Sequence, residues 1–255
     1  MSLRRSSRLS TTVHTERTPE ERSTFKRQLE EQDVEEGPKQ KMQRRKKVEI
    51  VKSNDLPTRG ESPWKVGPHV SAAGGVENTI INATSIGATA LSLFVKSQRK
   101  WELKELTPAS ISTFKSRLAE FGYSPDHILP HGSYLGNPDQ EKRDKSYTCF
   151  LDDLKRCEQL DFVLYNFHPG SCLGQVTPEE PCALIAECVN SAHEETDNIV
   201  IVLENMAGAG NILGSTFEQL KLLIDGVELK NRVGVCLDTF CVFISMSVAA
   251  ADFNV

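Results

Sequence analysis

From residue 63 onward, short apolar runs alternate with longer amphipathic stretches; before it, apolar periodicity is almost absent. The runs at 66–70, 90–95, 128–131, 162–167, 199–203 and 233–237 have the length and continuity of buried parallel strands. Between them, 75–86, 108–121, 140–159, 179–195 and 217–224 read as helices. Thr107-Pro108 and Thr177-Pro178 each set a capping hydroxyl before a proline at the first helical position, and Glu180 completes a capping box. Ser215 with Glu218 forms another such box, and Gly87 and Gly122 stand where helices should stop. Six strands and five helices in strict alternation predict an α/β fold, a parallel sheet with helical crossovers.

Four strand ends each carry one group able to bind a metal: His131 in ILPHGSY, His168 in LYNFHPGS, Glu204 in IVLENMAG and Asp238 in GVCLDTF. The gaps of 37, 36 and 34 residues match one strand, one helix and two loops. Parallel strands joined by right-handed crossovers point the same way, so their C-terminal ends share one face. Two imidazoles and two carboxylates gathered there make a metal site or an acid–base site. One such His taken alone is more often a satisfied core residue; four in register with the repeat reverse that balance. The repeat of polar ligands favours a (β/α) TIM barrel over an open doubly wound sheet. The glycines from Gly208 to Gly214 do not have the spacing of a dinucleotide fingerprint.

An eight-stranded barrel needs two more βα units, and only 17 residues follow Asp238. They are apolar and uncharged until Asp252, without turn or capping chemistry, so the expectation is an incomplete barrel of about six of eight units. Three parts are expected: a disordered basic extension over 1–60, a partial barrel over 61–239, and a divergent apolar tail over 240–255. The extension is too poor in apolar residues to offset its ordering entropy. Its cluster from Lys39 to Lys47 is of nuclear-import type, with a solvated charge run as the equal alternative. The cluster places the protein in the nucleus, with the mitochondrion as a second compartment. Residues 1–50 hold 13 Lys+Arg and 9 Asp+Glu, a net of +4 that leaves −9 for the rest against −5 overall.

Seven cysteines without a C-x-x-C pair argue for reduced thiols in an intracellular compartment. That makes the sequon at Asn82 void. No stretch approaches the roughly 20 apolar residues that span a bilayer, and no apolar signal core opens the chain. A mean hydropathy of −0.36 fits a soluble globular protein with a disordered portion; a monomer with no membrane partner is expected.

Six segments, in order, resemble the endonuclease IV family: Gly67-Pro68-His69-Val70-Ser71-Ala72-Ala73-Gly74-Gly75, the stretch from Phe94 to Trp101, Leu129-Pro130-His131-Gly132-Ser133-Tyr134-Leu135, Asn166-Phe167-His168-Pro169-Gly170-Ser171, Leu203-Glu204-Asn205-Met206-Ala207-Gly208 and Val235-Cys236-Leu237-Asp238-Thr239. These are zinc-dependent apurinic/apyrimidinic (AP) endonucleases of base-excision repair with a TIM-barrel fold. The resemblance implies cleavage of the phosphodiester 5′ to an abasic site in double-stranded DNA. By it, His131 and His168 hold a first Zn2+, Glu204 bridges to a second, and Asp238 binds that second ion. Arg99, Tyr134 and Leu135 become the group that penetrates the duplex while the abasic nucleotide is flipped out. His69 lies near the site without a metal role. The family carries up to three zinc ions; this chain supports one or two. The resemblance ends at Thr239, where the family continues with Cys-His and this chain has Phe240-Cys241-Val242. Cys241 is read as a chance occupant of the histidine position.

Two other functions stay open at this point. One is a catalytically inactive DNA-binding fragment. The other is a metal-dependent sugar isomerase, whose barrels also collect His and carboxylates at strand ends. Arg99 with Tyr134 and Leu135 favours DNA, while the net −9 of the barrel part argues mildly against it.

Overall fold

The computed structural model describes residues 57–60, 62–97, 105–132, 135, 139–171, 177–208 and 211–242, all within the unit Glu49–Val255. The basic extension with its 39–47 cluster, Arg99, Tyr134 and the last 13 residues lie outside them.

Among the described residues, strands and helices alternate as β1 (His69–Val70), α1 (Asn78–Thr84), β2 (Leu91–Leu93), α2 (Pro108–Glu120), β3 (Ile128–Pro130), α3 (Gln140–Gln159), β4 (Leu164–Phe167), α4 (Glu179–Glu194), β5 (Val200–Glu204), α5 (Phe217–Gly226) and β6 (Val233–Cys236). Every strand pairing is parallel and follows chain order, β1-β2-β3 and β4-β5-β6. A parallel bridge between His131 and Asn166 joins the two sets, with the Gly132 N–H donating to the Asn166 carbonyl at 2.7 Å. Neighbours in space being neighbours in sequence is the arrangement of a (β/α) barrel rather than of a doubly wound sheet.

The helices bury one stripe each against this sheet. In α4 the buried positions include Cys182, Ile185, Ala186, Val189, Ala192 and His193, a spacing of three and four residues. Phe114 and Leu118 do the same for α2, and Leu220 and Leu223 for α5. Against them stand Ile128 of β3, Tyr165 and Phe167 of β4, and Ile201 and Leu203 of β5. The Phe114 and Phe162 rings meet edge to face at 5.4 Å.

Helix ends refine the pattern read from the sequence. Thr107 caps α2 as expected, its hydroxyl accepting from the Ser110 N–H at 3.1 Å. Thr177 does not cap α4: Pro178 takes the N-cap position, and the Thr177 hydroxyl bonds the Glu179 carboxylate instead. Before α5 the cap is Thr216 rather than Ser215. Thr216 accepts from the Gln219 N–H at 3.2 Å, and the Gln219 side chain reaches back to the N–H groups of Gly214 and Ser215. The box is thus Thr216 with Gln219, one residue beyond Ser215 with Glu218. Helix α1 starts at Asn78 and not at 75, because Gly74 and Gly75 turn the chain at φ 87° and 142°. Gly87 and Gly122 end their helices at φ 72° and 60°.

Candidate metal centre

Three side chains from three successive strand ends meet at the C-terminal face. His131 follows β3, His168 follows β4, and Glu204 is the last residue of β5. One ligand atom from each lies within 4.8 Å of the others. The His131 Nε2 is 3.0 Å and the His168 Nε2 3.7 Å from the Glu204 Oε2, and the two imidazole centroids are 4.9 Å apart. The strand pairing fixes this: His131 bridges Asn166, and Phe167 pairs with Leu203, so one polar residue follows the other around the rim.

The donor set fits a divalent metal in more than composition. The His131 Nδ1 lies 2.7 Å from the Gly132 carbonyl, which can only accept, so Nδ1 donates there and Nε2 is the ring nitrogen turned toward Glu204. His168 places its Nδ1 against the Met206 thioether, leaving its Nε2 toward the same carboxylate. Burial, and to a lesser degree the neighbouring His131, hold the His168 imidazole below its ordinary pKa despite the pull of Glu204. Burial would raise the Glu204 carboxyl, but hydrogen bonds from His131 and Asn166 and the two nearby imidazoles outweigh it, leaving the group below its usual value. A neutral imidazole beside an ionised carboxylate is the protonation state a zinc ligand set requires.

The other expected site residues divide. Asp238 follows β6 but stands outside the cluster of three. Its Oδ1 accepts from the N–H groups of Phe240 at 2.8 Å and Cys241 at 3.4 Å, and its Oδ2 accepts the Cys241 thiol at 3.2 Å. Burial, and then Asp238, push the Cys241 thiol up, so it is a hydrogen-bond donor here. Leu135 is 1 % exposed and packs in the core, so its side chain offers no wedge to a duplex in this structure. His69 packs against Phe94 at 4.4 Å, with its ring 6.4 Å from that of His131.

Two residues emerge that sequence reasoning passes over. Asn166, 2 % exposed inside β4, donates from Nδ2 to the Glu204 carboxylate. Asn205 exchanges two hydrogen bonds with the backbone of Asp238. An asparagine interrupting the apolar run of β4 was the available signal for the first; the second, directly after a ligand, had none.

Residues 80–252 match the family described as the xylose isomerase-like TIM barrel. Among curated proteins, the chain is 51 % identical over 193 residues to apurinic-apyrimidinic endonuclease 1 of Plasmodium falciparum (isolate 3D7), covering 74 % of this chain and 31 % of that protein. It is 50 % identical over 177 residues to the protein of the same name from Plasmodium berghei (strain Anka), covering 68 % and 35 %. The chain therefore spans about a third of the length of these relatives. Among solved structures, endonuclease IV from Thermus thermophilus superposes with a TM-score of 0.58 at 32 % identity, over 69 % of this chain and 63 % of that one. The chain belongs to the xylose isomerase-like TIM barrel family.

Proposed function

We propose that this chain carries the metal-binding residues of a zinc-dependent AP endonuclease, which cuts double-stranded DNA 5′ to an abasic site in base-excision repair. The observation that carries this reading is the convergence of the His131 and His168 Nε2 atoms on the Glu204 Oε2, with the His131 tautomer set by the Gly132 carbonyl. Relatives about half identical that are named for this activity support it.

His131, His168 and Glu204 would hold a zinc ion, which would supply Lewis-acid chemistry for hydrolysis of the scissile phosphodiester. The chain's own residues prepare the place. Asn166 holds the Glu204 carboxylate in one rotamer, and the Gly132 carbonyl fixes the His131 ring. Asp238, whose carboxylate accepts from the amides of Phe240 and Cys241, would be the residue to hold a second ion. Arg99, and Tyr134 three residues after His131, carry the duplex penetration in this reading, as a planar cation and an aromatic ring. The 39–47 cluster directs the protein to the nucleus; deleting it should cost a fluorescent fusion its nuclear enrichment, and unchanged enrichment would count against the import role.

The deciding experiment incubates the zinc-loaded chain with a duplex bearing one abasic site. Zinc-dependent cleavage on its 5′ side, lost on chelation and in Glu204→Gln, is expected. A zinc-loaded protein that leaves the duplex whole and epimerises a ketose would replace this reading with the sugar-isomerase one.

A further inference from the structure

Behind the metal ligands, a buried chain of charged and polar groups ties three strand ends to one helix. Lys96, three residues beyond β2, extends its ammonium to α3, where it donates to the Cys149 carbonyl at 2.6 Å and to the Asp152 Oδ2 at 2.9 Å. It also faces the Asp153 Oδ1 at 3.0 Å as a charge contact. The Asp153 side chain is 2 % exposed, and its Oδ2 accepts the Tyr165 hydroxyl of β4 at 2.8 Å. Arg156 completes the pairing of Asp152 through its Nε at 2.7 Å.

The tyrosine is where this network meets the metal centre. A Cβ on Gly132 would fall 1.8 Å from the Tyr165 hydroxyl oxygen, so the phenol occupies the space that any side chain at 132 would need. Gly132 is also the residue whose carbonyl takes the His131 Nδ1 proton and whose N–H bonds the Asn166 carbonyl. The Gly132 peptide is therefore held from behind by Tyr165, from the side by β4, and in turn holds the imidazole.

We infer that Tyr165, braced by Asp153 and Lys96, is a positioning residue for His131, acting through the Gly132 peptide. Buried ion pairs of this kind are poor sources of net stability, because desolvation cancels much of their attraction, and are better accounted for by the single arrangement they impose. A phenol fixed at both its ring and its hydroxyl is a rigid stop. Phe150 packs the ring edge to face at 5.6 Å, and Asp153 fixes the oxygen. Without the hydroxyl anchor the Gly132 peptide gains freedom to rotate, and the His131 ring rotates with it.

The role rests on the metal reading proposed above, and its test separates the two. The probe is Zn2+ itself, titrated into the metal-free full chain against a chromophoric chelator, with the visible spectrum of the Co2+-loaded protein as a second readout of ligand geometry. Tyr165→Phe removes only the hydroxyl, and should weaken zinc binding by about tenfold, as loss of groups that orient a ligand does, and alter the Co2+ bands. Gly132→Ala, which forces the phenol and the peptide apart, should do the same. Val189→Ala in α4, a buried site away from the centre, controls for a general loss of stability and should leave both readouts unchanged. Zinc affinity and Co2+ spectra in Tyr165→Phe and Gly132→Ala equal to those of the parent overturn the positioning role alone. A parent chain that takes up no zinc overturns the metal reading, and the positioning role with it.

Discussion

Asn205 and Asp238 hold each other across the β5 and β6 ends. The Asn205 Nδ2 donates to the Asp238 carbonyl at 3.1 Å, and the Asp238 N–H donates to the Asn205 Oδ1. Asn205 is 5 % exposed, so its amide has little access to water as a substitute. This amide pair sets where the Asp238 carboxylate starts its turn.

The pair gives an ordered mutational series. Asn205→Ala leaves the Asp238 N–H and carbonyl without these partners and should cost about 1–3 kcal/mol of stability. Asn205→Asp keeps the acceptor for the Asp238 N–H but sets a carboxylate against the Asp238 carbonyl, near two further acids. It should be the less stable variant at neutral pH. A buried carboxyl of this kind titrates above its unfolded value, so its penalty is present at high pH and shrinks as pH falls through the folded pKa. Urea midpoints at pH 7.5 and 5 for both variants check the order; Asn205→Asp equal to the parent at pH 7.5 would show that the pair contributes nothing.

Metal addition should raise the melting temperature. A ligand that binds only the folded state at a hundredfold its dissociation constant adds about 2.7 kcal/mol. In a domain of this size that is roughly 5–10 °C. His131→Ala removes one of three convergent ligands and should abolish the shift. Differential scanning calorimetry with and without zinc decides it: a parent shift of zero, or an undiminished shift in His131→Ala, contradicts the assignment.

How much of this was open to sequence reasoning follows from what each residue depends on. His131, His168 and Glu204 are legible because each ends an apolar run, and parallel topology alone brings strand ends together. The turn at Asp238 is not, since chain order does not reveal that the amides of Phe240 and Cys241 fold back onto its carboxylate. Nor are Asn166 and Asn205, whose partners lie 38 and 33 residues away. The start of α5 had two adjacent hydroxyls, Ser215 and Thr216, and only the extended backbone of Thr216 (φ −124°, ψ 155°) chooses between them. That Leu135 is buried was not legible either, since a motif position carries no statement of which way its side chain packs.

His193 makes stability pH-dependent. Burial, and then the charge of Arg232, hold its imidazole below the ordinary 6.5. Its Nε2 donates to the Arg232 carbonyl at 3.1 Å, while its Nδ1 is buried with no hydrogen-bond partner. A second proton there would have no acceptor. Between the lowered folded value and 6.5, the unfolded chain binds more protons, so stability rises with pH across that window and is lost as pH falls below about 6.5. His69 and His168 are shifted the same way. The metal-free parent should therefore lose stability from pH 7.5 to 5.5, and His193→Gln should show a shallower slope in urea unfolding. Parallel slopes would remove His193 from the account.

Among the described residues, β6 and the segment just after it present apolar surface to water. Val235, Leu237 and Phe240 are 39 %, 57 % and 68 % exposed, and a Cβ built on Gly234 would meet nothing. Among the described residues β6 pairs only with β5, and no described strand covers its other edge. An unpaired apolar edge recruits strands from other molecules, and burying each such side chain is worth roughly 1.5–3 kcal/mol. Concentrated solutions of this chain should therefore self-associate through β6. Leu237→Lys combined with Phe240→Ser places a charge and a hydroxyl just beyond β6 and should restore a monomer. Neither side chain belongs to the cluster of His131, His168 and Glu204, so zinc uptake should be unchanged. Sedimentation velocity over a concentration series is the check. A parent chain that stays monomeric at the highest concentrations, or a double variant that associates as strongly as the parent, would show that the β6 edge is not where the molecules meet.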